Sequence, residues 1–161
     1  MKGISLFFEI GRWAAALAAV ILLVSMFGSK PVSDADPAVV TEAVMETLDL
    51  TNMVKAENQM VKRLYGLNPA DYPACTLYYP TTNMGAEEFL LIQLHSPNQL
   101  NTVQSAIEAR LETQKNTFEG YGVEQFDLLT NHAVIEIQGN YILFVVHAAC
   151  DEAKTAFVNA L

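Results

Sequence analysis

Apolar positions along this chain follow three spacings, and each predicts a different kind of element. The first is a solid run, since Trp13 to Phe27 carries no charge. About fifteen residues at 1.5 Å each cover roughly 22 Å of a hydrocarbon core of about 30 Å. Ile4, Leu6, Phe7, Phe8 and Ile10 extend the run toward the start, with Glu9 and Arg12 close enough to pair or to snorkel. An N-terminal transmembrane helix is therefore expected within residues 1–30, with 31–36 as a linker and 37–161 as a single domain.

The second spacing is helical. Asp36 reads as a cap with Pro37 at the first helical position, followed by the stripe Val40, Val44 and Leu48. A second helix is expected over Lys55 to Tyr65 on Met60, Val61 and Leu64, stopped by Gly66. Ser96-Pro97-Asn98-Gln99 is a capping box with proline at the first position. It opens a helix with Leu100, Val103, Ile107, Leu111 and Phe118 on one face, ending at Gly120. Glu124 to Leu129 is irregular or helical, and Asp151 caps a last helix that buries Ala153, Ala156, Phe157 and Ala160.

The third spacing is that of strands. Cys75 to Tyr79 and Glu88 to His95 form one expected hairpin, and Ala133 to Gln138 and Tyr141 to His147 form another around Gly139-Asn140. After the leading helices the order is ββα followed by ββα. The predicted fold class is α+β, with a four-stranded antiparallel sheet covered by helices on one face.

Charge narrows what such a domain does. The chain carries a net charge of −9, and setting aside Lys2, Arg12, Lys30 and Glu9 of the first thirty residues brings the rest to about −11. From Pro31 to Val54 there is no base, while Asp34, Asp36, Glu42, Glu46 and Asp49 accumulate. Such a surface repels nucleic acid, anionic headgroups and anionic wall polymers, so no nucleic-acid partner is expected. Lys2 and Arg12 precede the apolar run and acids follow it, so the positive-inside rule keeps the N-terminus cytoplasmic and sends the domain outward. Ser25 to Ser29 offers neither an A-x-A-like cleavage pattern nor a lipobox cysteine, which favours an uncleaved signal anchor, single-pass in the cell membrane.

Leu64-Tyr65-Gly66, Asp71-Tyr72, Ala86-Glu87-Glu88, Ala106-Ile107-Glu108-Ala109-Arg110-Leu111, Gln114, Gly120-Tyr121 and Gly139-Asn140-Tyr141 occur in that order. From Val39 onward the chain resembles a bacterial domain-of-unknown-function family of membrane-anchored or lipoprotein-type extracytoplasmic proteins from Gram-positive anaerobes. The resemblance implies a location and a module type; it carries no catalytic residue with it.

Candidate chemistry is sparse. At about 100° per residue, Gln114 falls inside the apolar stripe of its helix and Arg110 on its flank. Either the two hold backbone groups of the Gly120-Tyr121-Gly122 loop or of a neighbouring strand, or they line a ligand site rimmed by Tyr121, Tyr65 or Tyr72. Cys75 and Cys150, the two cysteines, form either a disulfide or two buried free thiols. His95, His132 and His147 lack metal-ligand spacing, and no GxSxG, HExxH or phosphate loop is present, so no metal, cofactor or catalytic residue is expected. The expected function is a non-enzymatic, membrane-anchored extracytoplasmic module that binds another protein of the envelope or serves as an accessory domain. A small-ligand or peptide-binding domain using Arg110 and Gln114 is the alternative.

Overall fold

Burial of β-strands on both faces organises this protein. A computed structural model describes residues 32–161, so the expected transmembrane helix lies outside the described residues. No helix among the described residues is long and apolar enough to cross a membrane. The elements run α1 (Pro37–Met45), β1 (Met53–Lys55), α2 (Asn58–Tyr65), β2 (Ala74–Pro80), β3 (Glu88–Gln93), α3 (Leu100–Phe118), α4 (Val123–Asn131), β4 (Ala133–Gln138), β5 (Tyr141–Val146) and α5 (Cys150–Asn159).

The strands form one antiparallel sheet in the order β1-β2-β3-β5-β4. Among the described residues five strands stand where four were expected. The extra one is β1, three residues pairing Met53 with Pro80 and Lys55 with Tyr78. Lys55 therefore ends an edge strand, and the second helix starts later than expected, at Asn58. A strand of this length has no room for a period-2 signal. Its approach is instead set by Asp49, whose Oδ1 accepts from the Thr51 amide at 2.9 Å and its hydroxyl at 2.6 Å.

Several local signals act as their chemistry requires. Asp36 Oδ1 caps α1 through the Ala38 amide at 2.8 Å, with Pro37 first in the helix. Gly66 ends α2 at φ +68°, a left-handed value that suits glycine. Gln99 Oε1 accepts from the Ser96 and His95 amides ahead of α3, and its Nε2 donates to the Asp71 carbonyl at 2.9 Å. The last helix departs from expectation, because Ala149 is its cap and Asp151 lies inside its first turn. There the acid still faces the positive end of the helix dipole.

Helices cover both faces of the sheet, not one. Leu90 and Ile92 of β3, with Ile142, Phe144 and Val146 of β5, pack against Val61 and Tyr65 of α2, Val103 and Ile107 of α3, and Leu129 of α4. The alternate residues Phe89, Leu91, Tyr141, Leu143 and Val145 pack against Val40 and Val44 of α1 and Ala153 and Phe157 of α5. The reason is legible in the strands themselves. Phe89 to Ile92 and all of β5 are apolar without alternation, a composition stable only when both faces are dry.

Residues 32–36, expected as linker, are docked. The Ser33 amide donates to Asn140 Oδ1 at 2.9 Å, its hydroxyl to the Leu161 carbonyl at 3.2 Å, and the Tyr141 hydroxyl to the Ala35 carbonyl at 2.6 Å.

Adjacent residues of β5 serve opposite cores, so both should be costly to truncate. Phe144→Ala is expected to lower stability by about 3 to 5 kcal/mol and Leu143→Ala by about 2 to 5 kcal/mol in urea unfolding. A near-neutral Leu143→Ala would contradict the second buried face.

Candidate functional site: a buried carboxylate cluster and an open cleft

Glu88 opens β3 with its side chain on the same face as Leu90 and Ile92. It is 1% exposed, and it is the buried charged residue among those described. A carboxylate taken out of water requires a partner charge and hydrogen bonds. Arg110 supplies the first from the middle of α3: Nη2 donates to Glu88 Oε2 at 2.7 Å, and Nε bridges both carboxylate oxygens at 3.2 Å. Tyr65, at the end of α2, donates its hydroxyl to Glu88 Oε1. The forked, charge-assisted geometry suits a guanidinium and does not suit a lysine.

Electrostatics follow from this enclosure. Burial, and then the adjacent Glu88 carboxylate, hold the Tyr65 phenol well above its ordinary range. Burial works against the Arg110 charge, yet its hydrogen bonds to Glu88 and the attraction between the two hold it above the usual value. Among the described residues no buried side-chain nitrogen or oxygen lacks a partner. Both oxygens of the Glu88 carboxylate are engaged, and the cluster ties α2 and α3 to β3.

The structure thus brings together two of the five expected site residues, Arg110 and Tyr65, around a third residue that the sequence reading passed over. Arg110 grips a strand side chain rather than backbone of the Gly120 loop. Gln114 is half-buried and makes no hydrogen bond among those of the described residues. Tyr121 is exposed and tilts against Phe118 at 5.9 Å, beyond the C-terminal end of α3. Tyr72 lies at the other end, next to the Asp71 carbonyl that Gln99 binds. A helix of nineteen residues separates these two tyrosines, so they do not rim one pocket.

Glu88 did leave a signal. It shares strand parity with Leu90, Ile92 and Leu94, so an acid stands on an apolar stripe. Arg110 stands on the flank of another. Two opposite charges on two buried surfaces point to each other.

Both cysteines are free, which decides between the alternatives the sequence left open. Cys75 packs with the α2, α3 and α4 layer, and Cys150 lies in the core under α1 and α5. They occupy opposite faces of the sheet, and β3 stands between β2 and β5. A Cys75–Cys150 disulfide is not formed. Burial pushes the Cys75 thiol up to about 11, and burial, followed by Asp151, raises that of Cys150. His147 turns its Nδ1 to the Ala149 amide at 3.0 Å. Among the described residues no three His, Cys, Asp or Glu side chains converge as metal ligands.

An open cleft of about 660 Å³ lies elsewhere, between α1 and the β1–β2 side of the sheet. Thr41, Glu42, Met45 and Glu46 wall it, and Lys55 and Thr76 are on its floor. It falls within the size range of ligand and peptide sites.

A family model described as a domain of unknown function, DUF4358, matches residues 46–147. The chain belongs to this family. The stretch matched to DUF4358 takes in all five strands with α2, α3 and α4, and thus the whole Tyr65–Glu88–Arg110 cluster; α1 and α5 lie outside it. No curated protein and no solved structure matches the chain.

Removing one partner of the DUF4358 cluster strands the other. Arg110→Met and Glu88→Leu singly are expected to cost about 3 to 5 kcal/mol each in denaturant unfolding, and the double variant to recover most of that loss. Additive losses would show that the pair is not coupled. For the thiols, melting is expected to be the same with and without reductant. The stability that Cys75 contributes, whose folded value is raised from 9.0 to about 11, is complete below pH 9 and falls as pH rises through 11. Alkaline unfolding that is unchanged by Cys75→Ala would refute it.

Proposed function

We propose that this DUF4358 domain is a membrane-tethered extracytoplasmic module that binds another protein of the cell envelope and performs no chemistry of its own. The observation that carries this reading is the division of its polar chemistry. The buried ionic groups are closed on one another, while the acidity lies outside, along an open and largely apolar cleft. Turning the nitrogens of Arg110 that grip Glu88 toward a ligand would leave that carboxylate buried with only the Tyr65 hydroxyl. That is a poor design for a binding site.

Tethering is supported by the sequence pattern: an uncharged Trp13 to Phe27, Lys2 and Arg12 before it, and Asp34 and Asp36 after it. Raised thiol values at Cys75 and Cys150 disfavour a thiolate nucleophile at neutral pH. The net charge of −9 disfavours nucleic acid and anionic lipid.

The full-length protein is expected in the membrane fraction after alkaline carbonate extraction, with its C-terminal domain digested by protease added to intact cells. In mild detergent it should migrate in a complex larger than its own monomer. Digestion only after the cells are opened would overturn the outward orientation, and migration as a bare monomer would overturn the interaction role.

A further inference from the structure

We infer that the cleft beside α1 is the docking groove for a basic, amphipathic helical segment of the partner protein, an inference that rests on the interaction role above. The two faces of the sheet are unequally covered. Three helices, α2, α3 and α4, pack on one; α1 and α5 pack on the other, over β3, β5, Val134 of β4 and Tyr78 of β2. Ala74 and Thr76 of β2 and Lys55 of β1 carry no described helix and become the floor of the cleft instead. The second layer therefore has room for one more helix, flanking α1.

Its surfaces suit that occupant. Ala38, Ala74 and Thr76 are small, which lets a backbone approach closely. Met45 and Leu50 supply aliphatic contact. The Thr41 hydroxyl is turned back onto the Pro37 carbonyl of its own helix at 2.7 Å and so makes no demand on a ligand. An amphipathic helix laid into an apolar groove is a recurring mode of recognition.

Charge selects which helix enters. Glu42 on α1 and Glu46, the residue that caps its C-terminus, are exposed, one turn apart, and both line the cleft. No ion pair among the described residues engages either of them or Lys55. Lys55 on the floor is the one base among the residues that line the cleft, so the two carboxylates outnumber it, and Asp34, Asp36 and Asp49 add acidity to the wider surface outside the cleft. Lysines or arginines flanking the apolar stripe of the incoming helix would meet these carboxylates. A second copy of this acidic chain would be repelled by them.

The test places a photo-crosslinking amino acid at Glu42 in the full-length protein in its native cells, with Glu108 on the outer surface of α3 as the comparison site. Crosslinked segments are then identified by mass spectrometry. The expected result is a crosslink from position 42 to a segment with apolar residues at helical spacing and flanking bases, weak or absent from position 108. With the crosslinker moved to Thr41, Glu42→Lys/Glu46→Lys should reduce that crosslink about tenfold without shifting the melting temperature. A partner captured only from position 108 would overturn the groove while leaving the interaction role intact. No intermolecular product from either position would overturn both. A product with a second copy of this chain, or with its own N-terminal segment, would overturn the assigned occupant. So would an acidic partner segment, or a yield that the double charge reversal leaves unchanged.

Discussion

Glu88 is an acid placed where the fold has room only for hydrocarbon, and the arrangement around it depends on how that is resolved. Born solvation makes an isolated carboxylate intolerable in such a place. The chain answers with a fork from α3 and a hydroxyl from α2, so one strand residue dictates where two helices sit and how they are turned. An aliphatic side chain would fill the space with less risk, but it would accept many helix positions. A guanidinium fork on a carboxylate accepts very few. The cluster gives this layer a defined register, and it lies wholly within the stretch that identifies the family.

The opposite layer is built differently. Here α1 and α5 pack on each other and on the sheet through Val40, Val44, Ala153 and Phe157, with no buried ion pair among the described residues. On β2 the coverage takes in Tyr78 but leaves Ala74 and Thr76 lining the cleft. One face of the domain is thus fixed by polar geometry and complete, whereas the other is held by apolar contact and open along one margin. That contrast is the ground on which an interaction role is proposed for the margin.

What the sequence disclosed depended on the range over which each signal acts. Caps and breakers are local, so Asp36, Pro37, Gln99, Gly66 and Gly139 marked their elements well. Apolar periodicity over nineteen residues marked α3. Strand β1 was hidden because three residues carry no period, and because its pairing partner lies more than twenty positions away. The second helical layer was hidden for a different reason. Residues Phe89 to Ile92 and all of β5 state that both faces are buried, but not which helices bury them. At the site, Arg110 was visible as an anomaly on its own helix. Its meaning required knowing that β3 runs beside α3, which no local rule conveys. The cysteines illustrate the same limit, since their separation across the sheet follows from the helical layer each one packs under.

The docked segment ahead of α1 adds a mechanical side to this architecture. Ser33 reaches the β4–β5 turn through Asn140 and the final residue through the Leu161 carbonyl, and Ala35 is held by Tyr141 of β5. A pull arriving through the residues before Ser33 does not begin by unravelling α1. It meets three hydrogen bonds that share the load between an interior strand and the chain terminus. The start of the described residues, the β4–β5 turn and Leu161 are thereby joined at one corner, so a load entering at Ser33 is divided among them before it reaches α1.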